Sequence, residues 1–470
     1  MLPGFPGEHF LAFSAFSRYT EHIKPIEKGL ISVKKLIALV LCIATAASCI
    51  ACTAAEEETF PTVEKKDYSE HAGIVEDSIT WYENFQNLPV ANADMTTDEL
   101  RQLCVDAFKA NLTFQWTPNQ NIKYTYTLLE KSRDVQLPTG IAYAGLCYCT
   151  GIRDATFGTL YKALSFYDKE TGVLDIAAMG DNALGIISSA CAYGAQQGWN
   201  RVSNSHKLQG MESYNRFDSN IVPVGPYTYE QFHYNYQFVA RDASSRIIAA
   251  NGDQVMLESF AQMLPGDGLF SSPSWHVMMC SITPVVVRNP DGTVNGDESY
   301  LHVCEQETSG TVSDQHNVMQ SNGVPLRPLG KVDNKYTLSQ LLQKGYIPFT
   351  IKEFLGEDPV EPGKAWLGTE TVPIENGQDL TISQLFGKAL FTNYALCNLE
   401  LTVKTPEGKE LFSYDPMIVT SPKTYNVMLS EITSLAKLEP YANGKNTIHI
   451  YAQLANGELV EAYKTILKAD

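Results

Sequence analysis

The stretch from Leu264 to Gln306 restricts what this chain can fold into more than any other. It opens with Leu264-Pro265-Gly266-Asp267, a Pro-Gly turn that breaks a helix and aims the backbone into a strand. Trp275-His276-Val277-Met278-Met279-Cys280 then reads as a buried strand with a histidine near its start. Val285-Val286-Val287 leads to Asn289-Pro290-Asp291-Gly292, whose Asp-Gly pair predicts a hairpin. The return strand, Tyr300-Leu301-His302-Val303-Cys304, ends in Glu305-Gln306. An imidazole on one strand and a carboxylate on the next is how a catalytic histidine is oriented and its charge stabilised. Glu305 is the first choice to face His276, with Gln306 and His302 as alternatives.

A chain of 470 residues predicts two domains plus a leader, and 44% hydrophobic content is ample for two cores. The net charge of −18 argues against a nucleic-acid partner and suits a secreted surface protein. Lys34-Lys35 precede the apolar run Leu36 to Ala44, then small residues and Cys49 and Cys52. That order reads as a lipoprotein signal over residues 1–52, with Cys49 or Cys52 lipidated and the true start expected at Val33. An acidic, aperiodic tether is expected over 53–95. No other stretch has the ~20 apolar residues of a membrane span. Ten cysteines, three of them in the leader, leave seven, an odd number in apolar contexts that predicts buried thiols rather than a disulfide frame. No paired Cys-x-x-Cys spacing suggests zinc, and neither metal nor cofactor is expected.

Thr96-Thr97-Asp98-Glu99 predicts a helix start, with Leu103, Val105, Ala107 and Phe108 on its apolar face. Gly252-Asp253 opens another helix that ends before Pro265, and Tyr346 to Ile351 reads as a strand. The order Leu-Pro-Gly-Asp, loop, His-Val and a strand with a polar end resembles the C-terminal half of the NlpC-type cell-wall peptidases. These are compact papain-like cysteine hydrolases. The resemblance covers about residues 96–355 and implies an α+β papain-like domain there. It also matches Gly145 to Tyr148 to the segment that bears an active-site tyrosine, here Tyr148, with Tyr143 second.

In that family the nucleophilic cysteine opens a helix, where free N–H groups and the helix dipole favour a thiolate. The corresponding run is Met179-Gly180-Asp181-Asn182-Ala183-Leu184, read as one helix from Asn182 through Tyr193. The resemblance then puts Ala183 at the nucleophile position. Cys191, eight residues further, would lie about 12 Å along such a helix and roughly 80° around it, too far to substitute. Cys149 lacks the helix start, and Ser188 and Ser189 read as packing residues.

Residues 356–365 form a linker by composition. Beyond it, alternation at Leu399, Leu401 and Val403, and at Ile448, Ile450, Ala452 and Leu454, predicts a small Ig-like β-sandwich over 366–470. Ala183 favours a degenerate, lipid-anchored envelope protein that faces outward and binds peptidoglycan peptides or another surface protein. The alternative is an active amidase or endopeptidase acting on peptidoglycan stem peptides, with His276 as acid-base and Glu305 as its orienting group.

Overall fold

The computed structural model describes residues 73–128, 131–149, 160–204, 220–229, 242–306, 318–320, 325–378, 380–415 and 424–470. The expected leader, with Cys49 and Cys52, lies outside them. The described residues all belong to one contact unit that mixes helix and sheet, an α+β arrangement.

The helices that matter for the site are α1 (Ser78–Gln86), α2 (Thr97–Thr113), α3 (Ala183–Ile187), α4 (Cys191–Trp199), α5 (Ala243–Asn251), α6 (Asp253–Ala261) and α7 (Leu338–Gln343). The strands are β1 (Cys147–Tyr148), β2 (Ser188–Ser189), β3 (Ile221–Pro223), β4 (Gly268–Ser271), β5 (His276–Val285), β6 (Tyr300–Glu305), β7 (Lys331–Thr337) and β8 (Tyr346–Ile351). Strands β3 to β8 form one antiparallel sheet in the order β3-β8-β4-β5-β6-β7. Helices α2 and α4 pack against it and share its core, where Phe108, Trp199, Met279 and Phe349 are buried.

Helix α2 begins where Thr96 and Glu99 form a reciprocal capping box. Its Arg101 reaches the Leu-Pro-Gly-Asp turn, donating to Asp267 at 2.6 Å with both side chains buried. Asp267 also accepts from the Leu264 N–H at 2.8 Å, and Gly266 takes a φ of 87°, which favours glycine. The motif's aspartate therefore fastens the turn that launches β4. Between β5 and β6 the Asp-Gly turn forms as expected, with Gly292 N–H donating to Asn289 O. It caps a short excursion bridged at Arg288 and Val294 rather than joining β5 and β6 directly.

Two expectations fail here. The described part of the expected tether contains α1, whose Trp81 and Phe85 are buried and stacked at 5.6 Å. An aromatic pair at i and i+4, capped by Asp77, was enough to make a docked helix from an acidic segment. The second failure is the continuous helix from Asn182. Helix α3 stops at Ile187, because Ser188 and Ser189 turn extended and pair in parallel with Cys147 and Tyr148. Ala190 stays extended, and a new helix, α4, starts at Cys191.

Glycines at i and i+4 set the position of α4. A Cβ on Gly198 would stand 2.7 Å from the Cys104 carbonyl and 2.9 Å from Met279, and one on Gly194 would meet Phe108 at 3.0 Å. Gly198→Ala is therefore expected to lower unfolding stability by about 1–3 kcal/mol in denaturant titration, since a backbone carbonyl cannot move aside cheaply.

In the C-terminal part, β9 (Ala365–Gly368), β10 (Ala389–Thr392), β11 (Leu396–Lys404), β12 (Glu410–Tyr414), β13 (Asn426–Met428), β14 (Asn443–Leu454) and β15 (Leu459–Lys468) form two antiparallel sheets. Their orders are β9-β10-β13 and β12-β11-β14-β15. The alternating residues Leu399, Leu401, Val403, Ile448, Ile450, Ala452 and Leu454 all lie in the core.

Candidate functional site

Strand β5 begins at His276, directly after Trp275, whose φ of 50° lies in the left-handed region. For a bulky residue that is a strained backbone, a feature that clusters at functional sites. The turn brings the Trp275 carbonyl within 3.8 Å of Cys191 Sγ. From the other side His276 Nε2 lies 2.9 Å from Glu305 Oε2 on β6. The Cys191 thiol and the imidazole are close enough that each, beside burial, is the largest influence on the other's proton. One ring thus bridges a thiol at a helix start and a buried carboxylate.

The charges follow from this geometry. Burial disfavours the Cys191 thiolate, but the His276 bond, the adjacent positive ring and the backbone N–H groups of Val277 and Ala192 outweigh it and lower the thiol pKa. Burial likewise opposes the His276 cation, yet hydrogen bonds to Cys191 and Glu305 raise its pKa. Both shifts favour a thiolate–imidazolium pair. Ala190, at the N-cap, makes no side-chain hydrogen bond to the first turn of α4, and the Ala192 N–H there acts on the Cys191 sulfur.

Glu305 is 2% exposed and held as a carboxylate with a pKa of about 2, burial being outweighed by His276, Lys331 and Asn334. Its second oxygen, Oε1, accepts from Asn334 Nδ2 at 2.7 Å and from the Tyr336 hydroxyl at 3.0 Å. Both donors come from β7, where the ladder with β6 is irregular between Val303 and Glu305. Nothing in the spacing of β7 announced them. Asn334→Ala is expected to slow any reaction that uses His276 by roughly tenfold, read as a fall in kcat/KM, because one oxygen of the orienting carboxylate loses a donor.

The other sequence candidates fall elsewhere. Gln306 donates to the Leu146 and Leu329 carbonyls and braces a loop. His302 stands edge-on to the Tyr300 ring, opposite Ile282 and Lys335. Tyr148 is buried on β1 beside Ser189, two residues before Cys191, whereas Tyr143 packs on Trp116 at 5.1 Å. Cys149 is fully buried and burial pushes its thiol up to about 11, the reverse of activation. Ala183 opens α3, separated from Cys191 by β2. The placement of Cys191 eight residues along one helix is thus corrected: a strand intervenes, and Cys191 occupies the first turn of its own helix.

Among the described residues no group of His, Cys, Asp and Glu gathers as a metal site, and no helix is long and apolar enough to cross a membrane. No family model matches this chain, and no curated protein matches it.

Proposed function

We propose that the protein is a papain-like cysteine hydrolase that cleaves an amide through an acyl-thioester on Cys191. One observation carries this reading: Cys191, in the first turn of α4, has its Sγ 3.8 Å from the Trp275 carbonyl and so beside His276, whose ring lies 2.9 Å from Glu305. The Cys191 thiolate attacks the amide carbon, and the N–H groups at the start of α4 receive the oxyanion. The His276 imidazolium gives its proton to the departing amine as the C–N bond breaks. Neutral His276 then takes a proton from water, the hydroxide attacks the thioester, and the carboxylic acid leaves as the thiolate–imidazolium pair returns. Glu305 holds the ring and offsets its charge throughout.

The resemblance of residues 96–355 to NlpC-type peptidases points to peptidoglycan stem peptides as substrate, with an Ig-like module over 366–470 and a lipid anchor at Cys49 or Cys52. The degenerate reading required a methyl group in place of the nucleophile. A thiol at a helix start, its pKa lowered by the neighbouring His276, favours the active alternative instead. The test is release of new amines from stem-peptide fragments by purified protein. Release that disappears in Cys191→Ala supports the proposal, and cleavage that persists in that variant refutes it.

A further inference from the structure

Arg201 follows α4 at the end opposite Cys191, about 13 Å along the helix. It is 2% exposed, and neither Nη1 nor Nη2 has a hydrogen-bond partner. Its guanidinium lies 5.6 Å from the ring centroids of both Phe85 and Tyr161. Such stacking favours the cation, and the guanidinium also acts on the Tyr161 hydroxyl, but neither Nη1 nor Nη2 makes a hydrogen bond of normal geometry. Among the described residues no carboxylate pairs with it. A buried cation without a counter-charge is costly, so natural cores pair such groups or give them a bound ligand.

The guanidinium lines a cavity at the seam between the α4 region and the C-terminal strands, walled by Phe85, Tyr161, Gln197, Cys397 and Ala455. Gly457 closes one side: a Cβ there would stand 2.5 Å from Arg201 Nη1, and its φ of 102° also favours glycine. The cavity offers about 30 Å³, more than the ~10–15 Å³ one water needs and room for a single small ion. It is too small for a phosphate-bearing ligand, and its wall supplies one full positive charge.

We propose that Arg201 binds a small inorganic monoanion of halide size in this cavity, joining the far end of the nucleophile helix to the C-terminal strands. The site is independent of the hydrolase reading. Two measurements on the full chain test it. In thermal unfolding at constant ionic strength, replacing gluconate, which cannot enter, by chloride should raise the midpoint by roughly 2 °C or more, and Arg201→Gln should remove that difference. Crystals grown in bromide should show an anomalous peak within hydrogen-bond distance of Nη1 or Nη2, which decides the matter should Arg201→Gln not fold. Equal midpoints in the two salts, a halide effect that survives Arg201→Gln, or water alone at the guanidinium would each overturn the proposal.

Discussion

Cys191→Ala is expected to lower amide hydrolysis by about three orders of magnitude or more, measured as kcat/KM on stem-peptide fragments. Ala183→Ser should leave the rate within about twofold. The contrast is informative because both residues open short helices only eight positions apart in the chain. Only one of them has its proton affinity lowered by His276. Folding of both variants is expected to be preserved, since each change is small and neither removes a large buried side chain. Hydrolysis retained in the Cys191 variant would show that the thiol of α4 is not the nucleophile.

The second large effect concerns His276. Its replacement by alanine should cost a similar three orders of magnitude, because the thiolate and the proton donor are lost together. The pH dependence should change as well. In the intact site the thiol lies below its ordinary value and the imidazole above its own, so the ion pair exists between the two. Activity on the acid side should therefore persist below the ordinary thiol range and fall only as the thiolate gains its proton. Without His276 the remaining large influence on Cys191 is burial, which raises the thiol pKa, so the acid limb should move to higher pH. Glu305→Gln should fall between wild type and His276→Ala, with the ring less well held and its charge less well balanced.

Much of this site was legible in the chain. His276 and Glu305 stand out because a turn, two apolar strands and a terminal carboxylate occur in an order that only an antiparallel pair satisfies. The capping box at Thr96 and the alternation in β11 and β14 are local patterns, and local patterns survive folding. Cys191 was misplaced for a tertiary reason. Ala183 to Tyr193 has helical spacing throughout, and nothing in that spacing says that Ser188 and Ser189 will be drawn into a parallel ladder with Cys147 and Tyr148. That pairing, between residues 41 positions apart in the chain, outcompetes helix propensity. Gly194 and Gly198 were the available hint: two glycines one turn apart weaken a helix unless its face lies against another backbone. Asn334 and Tyr336 were invisible because their role depends on a bulge that aims β7 at Glu305.

The account turns on an activated thiolate at Cys191, and alkylation mapping tests that most directly. Purified protein would be treated with limiting iodoacetamide at pH 6 and each cysteine's modification quantified by mass spectrometry. All seven described cysteines are free and buried, so exposure does not single one out. Cys191 should react first, and His276→Ala should slow it by about tenfold or more, the gain in thiolate being partly offset by weaker intrinsic nucleophilicity. Modification of Cys149 ahead of Cys191, or a Cys191 rate unchanged by His276→Ala, would contradict the thiolate–imidazolium pair on which the proposed chemistry depends.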